Sequence, residues 1–173
     1  MSKDYYCFED EKGDTGFLAG VVDVLSDNLS MILDYGYALE ADIFHVKDND
    51  ISLLNDVIRH RLYYYDICYN LYVPSEKIDA LNFQLKRIDA DANQILSRTI
   101  SSYSSHKEIS KSVDEFFRSL NWYLQKPVCI YTPTHLPDKN LNVLGQMYLS
   151  MAWEYFFIAY QEYLVLFIFG TVE

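Results

Sequence analysis

The chain is poor in positive charge, in cysteine, in glycine and proline, and in paired histidines, and each scarcity closes off a class of function. Lys and Arg number 14 against 25 Asp and Glu, giving a formal charge of −11. Nucleic-acid binders turn a basic face to the phosphate backbone, so nucleic acid is not expected as a partner. The three cysteines, Cys7, Cys68 and Cys129, are far apart and form no CxxC pair. A zinc ribbon and a thioredoxin-type site are therefore excluded, and a reduced, cytoplasmic setting is expected. None of the four histidines, His45, His60, His106 and His135, has another three or four residues away, so no helix offers a ready ligand pair. Asp89, Asp91 and Asn93 open like a calcium loop, but Gln94 stands where the turn needs glycine and Ile100 where the closing acid belongs. GxxxxGK[ST], GxGxxG and GxSxG are all missing, which removes the common phosphate cradles and the hydrolase elbow. No catalytic residue, cofactor or metal is assigned. The opening MSKDYYCFEDEKGD lacks the apolar run of a signal peptide. Six Gly and four Pro beside 16 Tyr and 10 Phe describe a folded chain rather than a disordered one.

What is present is apolar periodicity. Residues 1–14 read as an acidic arm. Asp14 or Thr15 caps a first helix with the stripe Phe17, Val21, Val24, Asn28, Met31 (or Ile32) and Tyr35, and Gly36 suits a left-handed cap. Leu39 to Val46 is ambiguous, with one more helical turn as the reading. Asp50 caps a second helix whose stripe runs Ile51, Leu54, Ile58, Leu62, Tyr65, Tyr69 and Tyr72 until Pro74. A third helix opens at Ser75 and carries Ile78, Leu81, Leu85, Ile88, Ala92, Ile95 and Thr99. Ser105 and Glu108 form a capping-box pattern for a fourth, with Ile109, Val113, Phe116, Leu120 and Tyr123 on one face. Arg59-His60-Arg61 reads as the solvated side of the second helix.

After Pro127 the texture changes. Val128 to Tyr131 is a short β-branched and aromatic run, and Pro133 and Pro137 bound a loop that ends in the turn-like Asp138-Lys139-Asn140. From Met147 to Gly170 only Glu154, Gln161 and Glu162 are strongly polar. A membrane span is not expected, because these charges interrupt the run and no Lys or Arg anchors either end. Gln161-Glu162 instead fits a hairpin turn between strands of about Leu149 to Tyr160 and Tyr163 to Phe169. Both faces of this hairpin are apolar, as in a sheet covered by helices on one side and by a partner or more chain on the other. The expected fold is α+β and a single domain over 1–173. A four-helix, mostly antiparallel region (15–126) packs on a C-terminal antiparallel hairpin or small sheet (127–173).

Trp153-Glu154-Tyr155-Phe156-Phe157-Ile158, with Tyr160, Tyr163 and the closing Leu166 to Glu173, resembles the C-terminal end of small bacterial immunity proteins, which pack helices on a terminal hairpin ending in a glycine and an acid. The resemblance covers about 25 residues and implies a protein that binds and blocks a cognate toxin domain without catalysis. An acidic, Tyr-bearing surface is the expected means. Its candidate residues are Asp42, Asp48, Asp50, Tyr63, Tyr64, Asp89 and Asp91, and its partner a toxin or other basic protein. Negative charge speeds encounter with such a partner, and exposed tyrosines supply anchors. Three alternatives stand beside this: inhibition of a defence protein by charge mimicry, an enzyme whose carboxylate or His pair is distant in sequence, and a homo-oligomeric module. The protein is expected to be a monomer or homodimer.

Overall fold

The tail supplies the middle of a five-stranded sheet. In the computed structural model, which describes residues 14–46 and 50–172, β4 (Met151–Ala159) and β5 (Tyr163–Thr171) pair antiparallel across the turn at Gln161-Glu162. β1 (Tyr37–His45) lies on the free side of β5, β3 (Cys129–Pro133) on the free side of β4, and β2 (Leu85–Ile88) outside β3. The order is β1-β5-β4-β3-β2, with every neighbour antiparallel. Aromatic and β-branched side chains fill β4 and β5 and suit a pleat buried on both faces.

Each face has its own core. Phe156, Ile158, Val165, Phe167 and Phe169 point to one side, against α1 (Asp14–Ser30), α4 (Ala92–Ser101) and α5 (Ile109–Leu124). The Phe156 and Phe167 rings stack there at 5.2 Å. Tyr155, Phe157, Leu164, Leu166 and Ile168 point to the other, against α2 (Leu54–Tyr69), α3 (Ser75–Asp79) and α6 (Asp138–Met147). Each such side chain contributes about 1.5–3 kcal/mol by leaving water, and two full layers of them make the sheet the stability centre. The α+β class and the terminal hairpin are as expected. The second face, however, is covered by the chain's own helices.

Among the described residues there are six α-helices rather than four, and the differences have local causes. Leu39 to Val46 is the strand β1, because its side chains alternate between the two cores: Leu39, Ala41 and Ile43 to one, Ala38 and Phe44 to the other. The expected third helix is three elements, α3, β2 and α4. Leu81, Phe83 and Leu85 alternate with Asn82 and Gln84, a strand period that a helical reading of the same leucines hides. Asp91 caps α4 by accepting from the Asn93 amide at 2.8 Å. Asp138 opens α6 instead of closing a turn, and its residue Asn140 is wholly buried, bonded to both backbone groups of Asn82 and to the Tyr155 hydroxyl. The Ser105–Glu108 capping box does not form; Ser105 donates twice to Asp34. Asp50 does cap, accepting from the Ser52 amide in the 3-10 turn Ile51–Leu53 that leads into α2. On α1 the buried stripe is Leu18, Val22, Leu25 and Leu29, and the expected Phe17, Val24, Met31 and Tyr35 face water. The acidic arm lies outside the described residues apart from its last residue, Asp14.

Two backbone features position the site. Gly36 takes φ +89° in the turn before β1, a left-handed conformation that costs glycine little. Trp153 is the extra residue of a bulge in β4, between the pairs Ala152↔Gly170 and Glu154↔Phe169. Opposite the bulge Gly170 is buried, and a Cβ there would overlap the Met151 carbonyl oxygen and the Leu149 side chain.

Candidate functional site

The edge strand β1 carries two acids on one face, Glu40 and Asp42, since residues two apart in a strand point the same way. Asp42 is 2% exposed. A charge so placed needs partners, and it has three. Arg61 Nη2 of α2 donates to Oδ1 at 3.0 Å and the Ile43 amide donates to the same oxygen at 2.8 Å. The Tyr148 hydroxyl donates to Oδ2 at 2.6 Å. All three are donors, the complement of an ionised carboxylate, which only accepts. Burial pushes the Asp42 carboxyl up from its ordinary range, while the Arg61 charge and the hydrogen bonds oppose that rise. Arg61 itself is 8% exposed, so the pair is a buried ion pair between sheet and helix.

Above this pair a cleft of about 350 Å³ opens along the sheet edge, lined by Asp23, Asp27, Glu40, Ala41, Asp42, Leu71, Met147 and Tyr148. Asp23 and Asp27 are one turn apart on α1 and share a helix face. The cleft is thus walled by α1 on one side and by the end of α6 on the other, with β1 as its floor. Four carboxylates meet there, and Arg61 answers the innermost of them. Crowding shows in the titration of the acids. Burial first, then repulsion from Asp27, Asp23 and Asp42, raises Glu40 to about 7. Asp23 is raised by burial and by Asp42, against an opposing pull from Arg61. A cleft of this kind holds excess negative potential beside a small apolar wall of Leu71 and Met147. Its lining is electrostatically suited to a positive charge, and burial and the neighbouring carboxylates raise Glu40 to about 7. No group of three or more His, Cys, Asp and Glu with metal-binding geometry exists among the described residues. No helix among them is long and apolar enough to cross a membrane.

The residues expected to form one acidic surface are dispersed. Asp42 is the buried floor of the cleft, with its oxygens engaged by the internal donors Arg61, Ile43 and Tyr148. Asp48 lies outside the described residues. Asp50 is exposed and caps the turn before α2. Tyr63 and Tyr64 are half-buried on α2, with the Tyr63 hydroxyl donating to the Ser75 carbonyl at 3.1 Å, so neither projects as a free anchor. Asp89 and Asp91 are exposed, Asp89 beside Arg87 at 3.6 Å, but they follow β2, the opposite edge of the sheet. Four strand spacings, about 19 Å, separate the two edges. Arg61 is also not on a solvated helix side. It sits three residues after Ile58 and seven after Leu54, squarely on the buried stripe. That position, with Asp42 between Ala41 and Ile43, is a signal that two buried charges must meet. Asp23, Asp27 and Glu40 were legible only as acids; their convergence required the placement of α1 against the edge of the sheet.

No protein-family model matches the chain, and neither a curated protein nor a solved structure does.

Proposed function

We propose that the protein neutralises a basic partner by stoichiometric binding, as an immunity protein does its toxin, and that the cleft along β1 receives a lysine or arginine side chain of that partner. The observation that carries this reading is the cleft itself: four carboxylates and a single neutralising guanidinium, in a chain of net charge −11. Its volume is at the small end of ligand sites and suits one or two side chains. The buried Asp42–Arg61 pair fixes the floor, so the remaining acids are held in place before the partner arrives, which lowers the ordering cost of binding. A cation entering the cleft favours the ionised form of Glu40. Binding therefore releases protons, and affinity rises between about pH 6 and about pH 8. The long-range charge accelerates encounter and makes association fall with salt.

The test is neutralisation in cells. The chain is co-expressed with the product of the gene adjacent to its own, tried as the candidate toxin, and growth is followed. Wild type should restore growth, and Asp23→Asn/Asp27→Asn/Glu40→Gln should lose most of the protection while remaining folded. Protection undiminished by the triple variant would remove the cleft from the mechanism, and lack of protection by wild type would remove the immunity reading.

A second reading is favoured by Glu40. A carboxyl titrating near 7 beside other carboxylates is suited to general acid–base work. Its mark would be turnover of a small molecule, lost in Glu40→Gln, with a rate that bends near pH 7.

A further inference from the structure

Helix α1 has three faces. Leu18, Val22, Leu25 and Leu29 enter the core, and Asp23 and Asp27 line the cleft. The third face is apolar and in water: Phe17 is 61% exposed and Val24 61%, with Val21 half-buried between them and Asn28 exposed beyond, and Met31, 83% exposed, extends it in the turn just after Ser30, its amide still donating to the Asp27 carbonyl at 3.0 Å. The intervals are four, three, four and three residues. That is the alternation of the two seam positions of a heptad, over two heptads, with one polar residue. Nothing in the fold of a monomer accounts for it, because the core is served by the neighbouring stripe.

The patch continues beyond α1. Phe17 meets the Tyr123 ring of α5 edge to face at 5.7 Å, and Tyr123 and its neighbour Trp122 are 46% and 83% exposed. Phe17, Val24, Met31, Trp122 and Tyr123 together leave about 600 Å² of side chain in water, the upper end of what single-chain proteins ordinarily expose in one place. Two such faces, the α1 stripe with its Trp122 and Tyr123 flank, bury at most about 1,200 Å², the lower bound of stable specific interfaces.

We propose that the protein forms a homodimer through α1, with Phe17, Val21, Val24, Asn28 and Met31 packed in parallel register against the same residues of a second copy. The occupant is a second copy because the stripe is self-complementary. In register each apolar residue meets its own kind, and Asn28 meets Asn28, amide to amide, the arrangement in which a seam asparagine is satisfied and selects a parallel pair. The seam positions carry no charge. Asp23 and Asp27 lie outside the seam positions, on the side of α1 that lines the cleft, so each copy of the dimer keeps its own cleft.

The two chains repel, each at −11. Salt screens that repulsion, so dimerisation tightens from about 50 mM to about 500 mM salt, the opposite of the response expected for cleft binding. Sedimentation equilibrium on the full chain across this range tests the proposal. The expected mass at high salt is twice 20.3 kDa. Val24→Asp and Met31→Asp, both at exposed positions, should each weaken the dimer by at least about 100-fold with an unchanged circular dichroism spectrum. Val24→Ser is the milder variant if the aspartate lowers helicity, with a loss of about 10-fold. A monomer at all concentrations and salts would overturn the proposal. So would a dimer that keeps its affinity in the folded variants, or one that salt dissociates.

Discussion

Arg61→Met tests the buried pair at the base of the cleft. The substitution keeps the length and apolar stem of the side chain and removes the charge. It leaves the Asp42 carboxylate 2% exposed without the guanidinium that stands 3.0 Å from it. Breaking a buried ion pair on one side costs about 3–5 kcal/mol, because the surviving charge has lost its counter-charge without regaining water. For a chain of 173 residues a loss of that size lowers Tm by about 10 °C. Removing both charges has a different outcome. Asp42→Leu/Arg61→Met leaves neither charge unpaired but takes the acceptor from the Tyr148 hydroxyl and the Ile43 amide, so it should cost less than either single substitution without reaching wild-type stability. Urea unfolding of the four members of this cycle gives the coupling directly, which should be at least about 3 kcal/mol. Tyr148→Phe adds a smaller cut. It deletes the 2.6 Å hydrogen bond to Oδ2 and should cost about 1.5–3 kcal/mol. The reasoning is refuted if Arg61→Met costs under about 1 kcal/mol with an unchanged m-value, for then water reaches Asp42 and the floor of the cleft is not pre-set.

Three further perturbations follow from the same geometry. Glu40 has a folded pKa of about 7 against an ordinary 4.5, so the native state holds its proton more tightly and stability falls as pH rises through that window. Glu40→Gln should flatten the fall and raise stability at pH 8 by about 1 kcal/mol, a value discounted because the side chain is only half-buried; a denaturation series from pH 4 to pH 8 reads it. Gly170→Ala forces a methyl group against the Met151 carbonyl and Leu149 opposite the bulge, and should destabilise by about 3 kcal/mol in thermal melts. Asn140→Leu strands the Asn82 amide and carbonyl that Asn140 now satisfies, and should cost about 2–4 kcal/mol, with hydrogen exchange of the Asn82 amide accelerated first.

The parts of this fold legible in sequence are those where one period dominates. The hairpin was legible because Gln161-Glu162 interrupts two aromatic, β-branched runs. The buried faces of α2 and α5 were legible because Leu54, Ile58 and Leu62, and Val113, Phe116 and Leu120, step by three or four with no competing stripe. On α1 two apolar stripes run side by side, Leu18-Val22-Leu25-Leu29 and Phe17-Val21-Val24-Met31, and spacing alone does not choose between them. From Ile78 to Ile95 apolar residues satisfy a helical period and, over Leu81 to Leu85, a strand period too. There pairing with β3 makes Leu85 to Ile88 a strand, and the Asn140 bonds to Asn82 hold the irregular segment just before it, against the helical period. β1 was obscured by Glu40 and Asp42, polar residues on a strand that is otherwise core. Those two acids line the cleft, and they look out of place in a strand for that reason. The acidic surface was anticipated as a kind of surface and not as a place. Asp89 and Asp91 stand at the far edge of the sheet, and the cleft is completed by Asp23, Asp27 and Glu40, which only the tertiary placement of α1 brings together.

The central claim, a cation-accepting cleft on the β1 edge, is tested most directly by amide-detected NMR titration of the protein with a hexa-arginine peptide at low salt. Shifts should concentrate at Asp23, Asp27, Glu40, Ala41 and Tyr148, grow from pH 6 to pH 8 as Glu40 ionises, and vanish in Asp23→Asn/Asp27→Asn/Glu40→Gln. Shifts spread over Asp50, Asp89 and Asp91 as strongly as over the cleft, or undiminished in the triple variant, would contradict the account.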